Sequence, residues 1–362
     1  MSWRFITSIP KIIPSTHYHT RYKMSLPELI VLCNPLLDVQ ATVTPEYLAN
    51  YNLKANDAIL IEDSAEDPKM KIFDELAAFP DVKYIAGGAG QNSARGAAYI
   101  LGEGKVGYFG CVGDDKFSAK LLSENQKAGV QSLYQVAPEF GTGKCAALIT
   151  GHDRSLVTDL GAANHFKPEH IDKHWDAVTN AKLFYVGGFH LTVSPEAIIK
   201  LGKHAKETGK PFILNFSAPF IPQFFKDVLT QVLPYATHII ANETEAAAYA
   251  ESFGVSCDST DLEAIAKSII ATDANKTIIF THGLEPTVVI TKDSTKTYAV
   301  KPLEKSKIED TNGAGDAFAA GFIAGLTQGK PFDVAMDMGQ WLASLSIQEV
   351  GPSYPEDKLQ YQ

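Results

Sequence analysis

The sequence predicts a three-layer α/β fold (αβα) with a mostly parallel central sheet, because short apolar runs alternate along the chain with amphipathic helical segments. The apolar runs resemble buried parallel strands and occupy residues 28–34, 105–113, 145–150, 182–188, 211–217, 237–242 and 276–283. Segments with helical spacing lie between most of them, for example at 194–209, 261–271 and 314–326. Helices are therefore expected on both faces of the sheet.

Two polar regions interrupt this alternation and predict a second, smaller unit. Residues 38–86 and 138–163 contain only short strand-like pieces, and together they would form a small α/β lid inserted into the sheet domain. The predicted large domain then comprises residues 28–37, 87–137 and 164–357, and a tail follows at 358–362. Residues 1–27 are predicted to form an N-terminal extension.

The first 23 residues differ in composition from the rest of the chain. They hold four basic side chains, no acidic one and several hydroxyl residues, which is typical of a mitochondrial transit peptide. An unstructured extension upstream of Met24 is the favoured alternative, because Pro10 and Pro14 would interrupt an amphipathic helix. A cytoplasmic protein is expected, and a nuclear or a mitochondrial location stays open.

Composition and charge argue against several classes of protein. Apolar residues make up 45% and charged residues 20% of the chain, as in soluble globular domains. The net charge of -10 has the wrong sign for a polynucleotide-binding protein, so no nucleic-acid partner is expected. No apolar run reaches the length of about eighteen residues that a membrane span needs.

The cysteine and histidine spacing predicts neither disulfides nor a structural metal. The four cysteines are widely scattered, without a Cys-x-x-Cys pair, which disfavours a disulfide scaffold or a zinc site. His170 and His174 alone have a metal-like spacing, but the glutamate of the zincin motif is missing. We therefore interpret these two histidines as part of an ordinary solvated helix face.

The segment 310–322 (DTNGAGDAFAAGF) is the most informative motif. Its glycines free the backbone to approach a ligand, and the N–H groups from Asn312 to Asp316 would form an anion site at a helix N-terminus. A carboxylate beside such a site would repel a bound phosphate. The combination of a carboxylate and an anion site suits phosphoryl transfer, because Asp316 can take a hydroxyl proton while the amides neutralise the charge on the moving phosphoryl group.

A second glycine-rich turn lies within residues 84–101. It differs from a dinucleotide-binding fingerprint, because Ser93 stands at the third glycine position and no acidic residue follows about twenty positions on. A turn at Gly87-Gly88 that lets a substrate approach the backbone, with the Asn92 amide facing a hydroxyl, fits better. The structural alternative is a helix N-terminus that needs small residues for packing.

Two further motifs place oxygen ligands after predicted strands. Asn34 and Asp38 follow the first strand, and a carboxylate there could accept hydrogen bonds from the two vicinal hydroxyls of a ribose. Asn242 and Glu245 lie on one face of a helix start, which suits hydrated Mg²⁺. Taken alone, Asp38 could be a turn residue, and Glu245 could merely compensate the helix dipole.

Together these motifs resemble the ribokinase-like (PfkB) carbohydrate kinase family. The resemblance rests on GCVGDDKF (110–117), the Gly-Gly-x-x-x-Asn turn at 87–92 and DTNGAGDAF (310–318), and it spans residues 28–357. Shorter motifs at 34–38, 142–145, 191–196, 215–221 and 241–246 occur in the order typical of the nucleoside-using branch of the family. The resemblance implies a ribokinase-like fold and a Mg²⁺-dependent transfer of the ATP γ-phosphoryl group to the 5′-hydroxyl of adenosine, giving AMP.

The family's functional residues carry over onto matching positions of this chain. The resemblance implies that Asp316 is the catalytic base and that the anion hole comprises Gly313, Ala314 and Gly315. It implies a nucleoside site formed by Asn34, Asp38, Gly88, Asn92, Cys145, Leu156 and Phe220, and a phosphate and ATP site formed by Arg154, Asn242, Thr281, Gly283 and Asn312. Glu245, with Asn242, would organise the hydrated Mg²⁺, and the role of a monovalent cation stays open. A monomer is expected, although sugar kinases of the family often dimerise through their lids.

Two departures from the family pattern leave the exact nucleoside preference open. Animal members of the nucleoside-using branch carry Ser-Thr where this chain has Ala89-Gly90, and a second Phe where it has His190. Losing a hydroxyl and an aromatic face near the nucleoside could alter the affinity for purine analogues. The alternatives are a related kinase for another nucleoside or a sugar, and a non-catalytic nucleotide-binding regulator. The apolar segment 215–221 disfavours the first, and the intact base and glycine turn disfavour the second.

Overall fold

The structure is a computed structural model that describes residues 25–55, 57–61, 66–151 and 153–362. The predicted transit peptide or unstructured extension at 1–23 lies outside these residues. The strands of the described chain are β1 (Leu29–Leu32), β2 (Leu36–Thr42), β3 (Ala58–Leu60), β4 (Lys83–Gly87), β5 (Val106–Val112), β6 (Val130–Val136), β7 (Lys144–Thr150), β8 (Asp153–Asp159), β9 (Leu183–Gly187), β10 (Phe212–Asn215), β11 (His238–Asn242), β12 (Thr277–His282), β13 (Glu285–Ile290) and β14 (Thr295–Tyr298).

Helices connect most of these strands. They are α1 (Pro45–Asn50), α2 (Lys71–Leu76), α3 (Ala89–Leu101), α4 (Lys116–Ala128), α5 (Glu169–Asp172), α6 (Trp175–Asn180), α7 (Pro195–Thr208), α8 (Phe220–Phe224), α9 (Lys226–Val232), α10 (Glu243–Phe253), α11 (Leu262–Ile270), α12 (Ala314–Thr327) and α13 (Phe332–Ser346). In the part of the chain that the structure describes, none of these helices is long and apolar enough to cross a membrane.

The larger sheet has the order β14-β13-β12-β11-β10-β9-β1-β5-β6. Its strands pair in parallel from β6 to β12, and β13 and β14 form an antiparallel edge. Side chains of β1 alternate between two buried clusters, since Ile30 and Leu32 pack with α7, α9, α10 and α11, whereas Leu29 and Val31 pack with α3, α12 and α13. The predicted αβα fold with a mostly parallel sheet is confirmed.

Strand β1 marks the point at which the strand order of this sheet reverses. Leu32 pairs with Phe109 of β5 on one side and with Val186 of β9 on the other, and the chain continues outward in both directions. Loops that leave the carboxyl ends of neighbouring strands diverge at such a point and open a crevice, which is where open α/β sheets bind ligands. Asn34 follows β1 directly at this crevice.

The smaller sheet has the order β3-β8-β7-β2-β4 and lies against the crevice. Its outer face packs on α1 and α2 through Val39, Leu148 and Val157. The alternate residues of the same strands, among them Asp38 and Leu156, face the crevice. The apolar run at 145–150 forms β7 of this sheet and lies within the segment 138–163 that was predicted to belong to the lid.

The interpretation of His170 as part of a solvated helix face was wrong. His170 is buried, with its Nε2 atom 3.1 Å from the carbonyl oxygen of Leu133, and its ring packs against Phe109 and Phe166. The short helix α5 lies on the larger sheet, and its contact with the sheet covers the side that carries His170. Within the described residues, no group of three or more His, Cys, Asp or Glu side chains could hold a metal ion.

Candidate active site

Asp316 lies in the first turn of α12, a helix that begins without a capping side chain. The residue before the helix, Gly313, has φ +78°, and a Cβ atom there would lie 2.7 Å from Cβ of Pro352. Among the described residues, no acceptor binds the N–H groups of Gly315 and Asp316, whereas the Ala314 N–H group donates to Thr311 O at 3.3 Å. Two free amides therefore lie beside the carboxylate, where a helix N-terminus favours an anion.

Helix α3 binds both the side chain and the backbone of Asp316. The Asn92 Nδ2 atom donates to Asp316 Oδ2 at 2.9 Å, and the Ser93 hydroxyl donates to Asp316 O at 3.2 Å. The two helices can approach because Gly96 of α3 faces Ala320 of α12, where a Cβ on the glycine would come within 2.7 Å of the alanine Cβ. The carboxylate of Asp316 therefore has a fixed orientation.

Burial raises the pKa of Asp316 to about 7. The Asp38 carboxylate contributes to this rise in pKa, while the Asn92 hydrogen bond and the Arg95 charge oppose it. A carboxyl group with a pKa near the working pH is well suited to accept a proton from a hydroxyl, because both its protonation states are accessible.

A cavity of about 260 Å³ lies between the two sheets beside Asp316. It is lined by every residue predicted for the nucleoside site: Asn34, Asp38, Gly88, Asn92, Cys145, Leu156 and Phe220. Apolar walls and a few polar groups at one end are typical of a small-molecule site. We call this space the first cavity.

Two glycines allow Asp38 to lie in the wall of the first cavity. A Cβ on Gly87 would lie 2.2 Å from Asp38 Oδ1, and a Cβ on Gly88, whose φ is +86°, would lie 2.6 Å from Asn34 O. Burial raises the pKa of Asp38 to about 6, against the lowering effect of Arg154 and Arg95. Both positions of this turn must therefore be glycine for the Asp38 carboxylate to fit.

Arg154 also lies in the first cavity. Its Nη2 atom is 3.4 Å from Asp38 Oδ2, and its Nη1 atom donates to Gln40 Oε1 at 3.2 Å. The predicted contact of Arg154 with the phosphates stays a prediction. Asn312, predicted for the ATP site, likewise lines the first cavity.

Two more cavities continue from Asp316. A narrow one of about 180 Å³ is lined by Asp316, Gly313, Gly315, Asn242, Glu245 and Thr281. A larger one of about 370 Å³ follows, and it shares Gly315, Asn242 and Thr281 with the narrow cavity and adds Gly283 and Ala314. The predicted base, anion hole, metal and ATP residues are thus brought together on one continuous path that starts at the first cavity.

Glu245 and Asn242 close the N-terminus of α10. The Asn242 side chain accepts from the Glu245 N–H group at 2.8 Å, and Glu245 Oε2 accepts from the Asn242 N–H group at 3.0 Å. Glu245 is only 5% exposed. Burial raises its pKa to about 7, and the charges of Glu243 and Asp316 raise it as well.

His190 does not line the first cavity. It is buried behind Asn34, with Nδ1 lying 2.7 Å from Asn34 Oδ1, and burial lowers its pKa to about 3. The neutral ring therefore donates to Asn34 and orients it. The neighbouring Phe189 supplies an aromatic wall of the cavity, so the interpretation that the site lacks an aromatic face at His190 was wrong.

The chain has no room for a side chain at Gly90. A Cβ at this position would lie 2.1 Å from Cβ of Cys33. Ala89, in contrast, faces the first cavity. Of Ala89, Gly90 and His190, at which this chain departs from the family pattern, Ala89 alone lines the first cavity.

Three polar residues near the site were missed. Arg95 donates from Nη2 to Asn92 Oδ1, Asn215 donates to the Tyr185 hydroxyl at 3.0 Å, and Ser217, at φ +69°, accepts from the Gly188 N–H group at 2.9 Å. A signal for Arg95 is its spacing of three from Asn92 on one helix face, and Asn215 lies near the end of the predicted strand at 211–217. No sequence signal indicates the positive φ of Ser217.

Comparisons with known proteins identify the family of this chain. A model of the pfkB family of carbohydrate kinases matches residues 46–359. Adenosine kinase of Saccharomyces cerevisiae is 67% identical over 334 residues, covering 92% of this chain and 98% of that protein.

Solved structures of two further adenosine kinases have the same fold. That of Anopheles gambiae, in complex with P1,P4-di(adenosine-5) tetraphosphate, has a TM-score of 0.84 at 39% identity and covers 91% of this chain and 98% of its own. That of Schistosoma mansoni, in complex with 2-fluoroadenosine, has a TM-score of 0.84 at 32% identity, with coverages of 92% and 98%. The chain therefore belongs to the pfkB family of carbohydrate kinases and, within that family, to the adenosine kinases.

Proposed function

We propose that this protein transfers the γ-phosphoryl group of ATP to the 5′-hydroxyl of adenosine, giving AMP and ADP. The observation that carries the proposal is the position of Asp316. Its carboxylate lies where the first cavity meets the narrow one, next to two free amides of α12. A base, a nucleoside hydroxyl and a phosphoryl group can meet at such a junction.

The first cavity binds the nucleoside in this proposal. Leu156, Phe189 and Phe220 provide apolar faces for a purine, and Asp38 accepts hydrogen bonds from the ribose hydroxyls. Asn34, which His190 orients, lies beside the ribose. Bound in this way, adenosine directs its 5′-hydroxyl toward Asp316.

The chemical step exchanges one bond to phosphorus for another. Asp316 takes the proton of the 5′-hydroxyl as the new O–P bond forms, and the bond from the γ-phosphorus to the β,γ-bridging oxygen breaks, so that ADP leaves. The Gly315 and Asp316 N–H groups donate to the phosphoryl oxygens, on which negative charge is greatest during transfer. The larger cavity holds the rest of ATP, next to Thr281 and Gly283.

The residues of the narrow cavity fit a hydrated Mg²⁺ ion. Glu245 and Asp316 place two carboxylates in one small space, the charge of Asp316 raises the pKa of Glu245, and a cation would relieve this repulsion. Glu245, with Asn242, would hold the ion through water, as Mg²⁺ prefers. Bound there, Mg²⁺ neutralises phosphate charge. Replacing K⁺ by a bulky organic cation in the assay tests whether a monovalent cation also contributes.

We further propose a monomer whose lid is the unit built on the smaller sheet, with the predicted boundaries 38–86 and 138–163. Both walls of the first cavity come from one chain. No partner subunit is therefore needed to complete the site. Light scattering of the purified protein, with and without adenosine, gives the mass in solution.

A panel of acceptors tests the proposed reaction against its alternatives. Purified protein is incubated with ATP and Mg²⁺ and with adenosine, other nucleosides, ribose or fructose, and the phosphorylated products are separated by chromatography. AMP formed from adenosine at the highest kcat/KM is the expected result. Preferred phosphorylation of a free sugar would favour a sugar kinase, and ATP binding without any product would favour a regulator.

A further inference from the structure

Arg95 of α3 is a half-buried arginine that binds carbonyl oxygens. Its Nη2 atom donates to Asn92 Oδ1 at 2.8 Å and to Ala86 O at 2.7 Å. Arg95 forms no ion pair with any described residue, and burial lowers its pKa. A charge that is desolvated without a carboxylate partner is costly, so its hydrogen bonds need an explanation.

The hydrogen bond from Arg95 determines which end of the Asn92 carboxamide faces Asp316. A carboxamide has an accepting oxygen and a donating nitrogen on opposite sides. Because the guanidinium can only donate, it fixes the oxygen of Asn92 on its own side. The nitrogen is then left to donate to Asp316 Oδ2, at 2.9 Å.

We propose that Arg95 is a positioning residue for phosphoryl transfer, which holds Asn92 so that its amide nitrogen donates to the catalytic carboxylate of Asp316. The inference rests on the proposed function, in which Asp316 is the base. If Arg95 is removed, the carboxamide can rotate and present its oxygen to Asp316. That arrangement stabilises the protonated acid, which cannot accept the hydroxyl proton.

The charge of Arg95 acts in the same direction as the hydrogen bond. A cation near Asp316 favours its ionised form and lowers its pKa. The other titratable groups that interact with Asp316 lie just after β1, on β2, β5, β9 and α10, and in the C-terminal segment, and they are Cys33, Asp38, Tyr108, Tyr185, Glu245 and Tyr354. Asp38 disfavours ionisation of Asp316, and Arg95 is the cation that opposes this effect from α3.

The test compares the pH dependence of single-turnover phosphorylation of adenosine in the native protein and in three variants. Arg95→Met removes the donor and the charge. Arg95→Lys is the conservative variant, because both hydrogen bonds come from one nitrogen, which an ammonium group can replace. Lys127→Met is the matched control, since it removes a cation from the same surface groove, where Lys127 pairs with Glu124 at 2.9 Å.

We expect Arg95→Met to move the acidic limb of the rate profile to higher pH by about one unit, so that the rate at pH 6.5 falls about tenfold. The difference in rate between Arg95→Met and the native protein should narrow above pH 8.5, where Asp316 is ionised in both proteins. Arg95→Lys should restore the native limb, and Lys127→Met should leave it unchanged. Arg95→Gln replaces Arg95→Met if the latter does not fold, and it should shift the limb in the same direction.

A native limb in Arg95→Met, or a loss of rate that is the same at every pH, overturns the positioning role. The positioning role is also overturned if Arg95→Lys displaces the acidic limb as far as Arg95→Met does. Failure of the proposed function gives a different result. In that case Asp316→Asn retains native turnover, whatever the Arg95 variants do.

Discussion

Two helices begin at the narrow cavity, and their N-termini are completed in opposite ways. At α10, Asn242 and Glu245 satisfy each other's backbone N–H groups at 2.8 and 3.0 Å. At α12, Gly313 adopts a left-handed conformation, no side chain caps the helix, and the Gly315 and Asp316 N–H groups find no acceptor in the described part of the chain. The first four N–H groups of any helix need acceptors from outside the helix.

The difference indicates which helix end can bind an incoming phosphoryl group. The capped end of α10 holds a carboxylate in place, because Glu245 is itself part of the cap. The uncapped end of α12 leaves amides for a ligand, whose charge the helix dipole favours. Burial brings the pKa of both carboxylates, Glu245 and Asp316, to about 7, so their roles differ through their neighbours rather than through acidity.

The largest effect is expected from Asp316→Asn, which removes the base of the uncapped end. The single-turnover rate should fall by about 10²–10⁴, the usual contribution of a positioned general base. Adenosine affinity, measured by calorimetry, should change little, because the amide keeps the shape of the side chain. In the native protein the rate should fall as the pH drops through about 7, since a protonated Asp316 cannot accept a proton. An equal loss of binding and turnover would make Asp316 a structural residue.

Gly313→Ala should disturb the free amides without touching the base. The left-handed φ of +78° and the 2.7 Å approach to Pro352 force the backbone to shift. We expect a loss in kcat of about 10²-fold, as for a lost anion-hole donor. Gly329→Ala is the matched control, because Gly329 follows the same helix at φ +71° with no atom within 4 Å of a new Cβ. Comparable losses in the two variants would contradict the proposed anion hole.

Glu245→Gln should separate the two roles of Glu245, which caps α10 and is proposed to hold the hydrated Mg²⁺ ion. Glutamine keeps an oxygen that can accept from the Asn242 N–H group, so the unfolding free energy should stay close to native. The Mg²⁺ concentration for half-maximal activity should rise by about 10–100-fold, because the charge that holds the hydrated ion is lost. Glu251→Gln, on the exposed last turn of the same helix, should leave it unchanged. An unchanged Mg²⁺ requirement in Glu245→Gln would remove Glu245 from the proposed metal site.

Asp38→Ala concerns the nucleoside end of the path and should affect binding more than turnover. We expect KM for adenosine to rise by about tenfold, the equivalent of one charged hydrogen bond, while kcat changes little. In the native protein KM should rise as the pH falls through about 6, because Asp38 then becomes protonated. Asp74→Ala, on an exposed position of α2, is the control. A native KM in Asp38→Ala would exclude a contact with the ribose.

The sequence could predict the parts of this site that depend on backbone shape. Gly87 and Gly313 stand where a Cβ would collide with Asp38 or with Pro352, so glycine motifs mark these turns directly. Each of these two glycines is followed along the chain by a polar residue that lines one of the three cavities. A mostly parallel sheet covered by helices was predictable for a similar reason, because apolar runs that alternate with amphipathic segments are a local property of the sequence.

Contacts between distant segments could not be predicted. The hydrogen bond from Asn92 to Asp316 joins residues 224 positions apart, and only the packing of α3 on α12 brings them together. The direction of His190 is another example, since its position in the motif does not indicate that the ring turns inward to Asn34. Local patterns identify polar residues near a site, but tertiary packing decides which of them touch.

The smallest effect is expected from Asn242→Ala, which opens the capped end of α10. Loss of the cap should lower the unfolding free energy by about 1 kcal/mol, measured by urea titration without ligands. Asn242→Ser restores a capping hydroxyl and should recover most of this loss. The free energy depends on the cap at α10, whereas α12 has no capping side chain to lose, so Asp316→Asn should cost less stability than Asn242→Ala. The reverse order would mean that the N-terminus of α12 is held by Asp316 itself and is not free to bind phosphate.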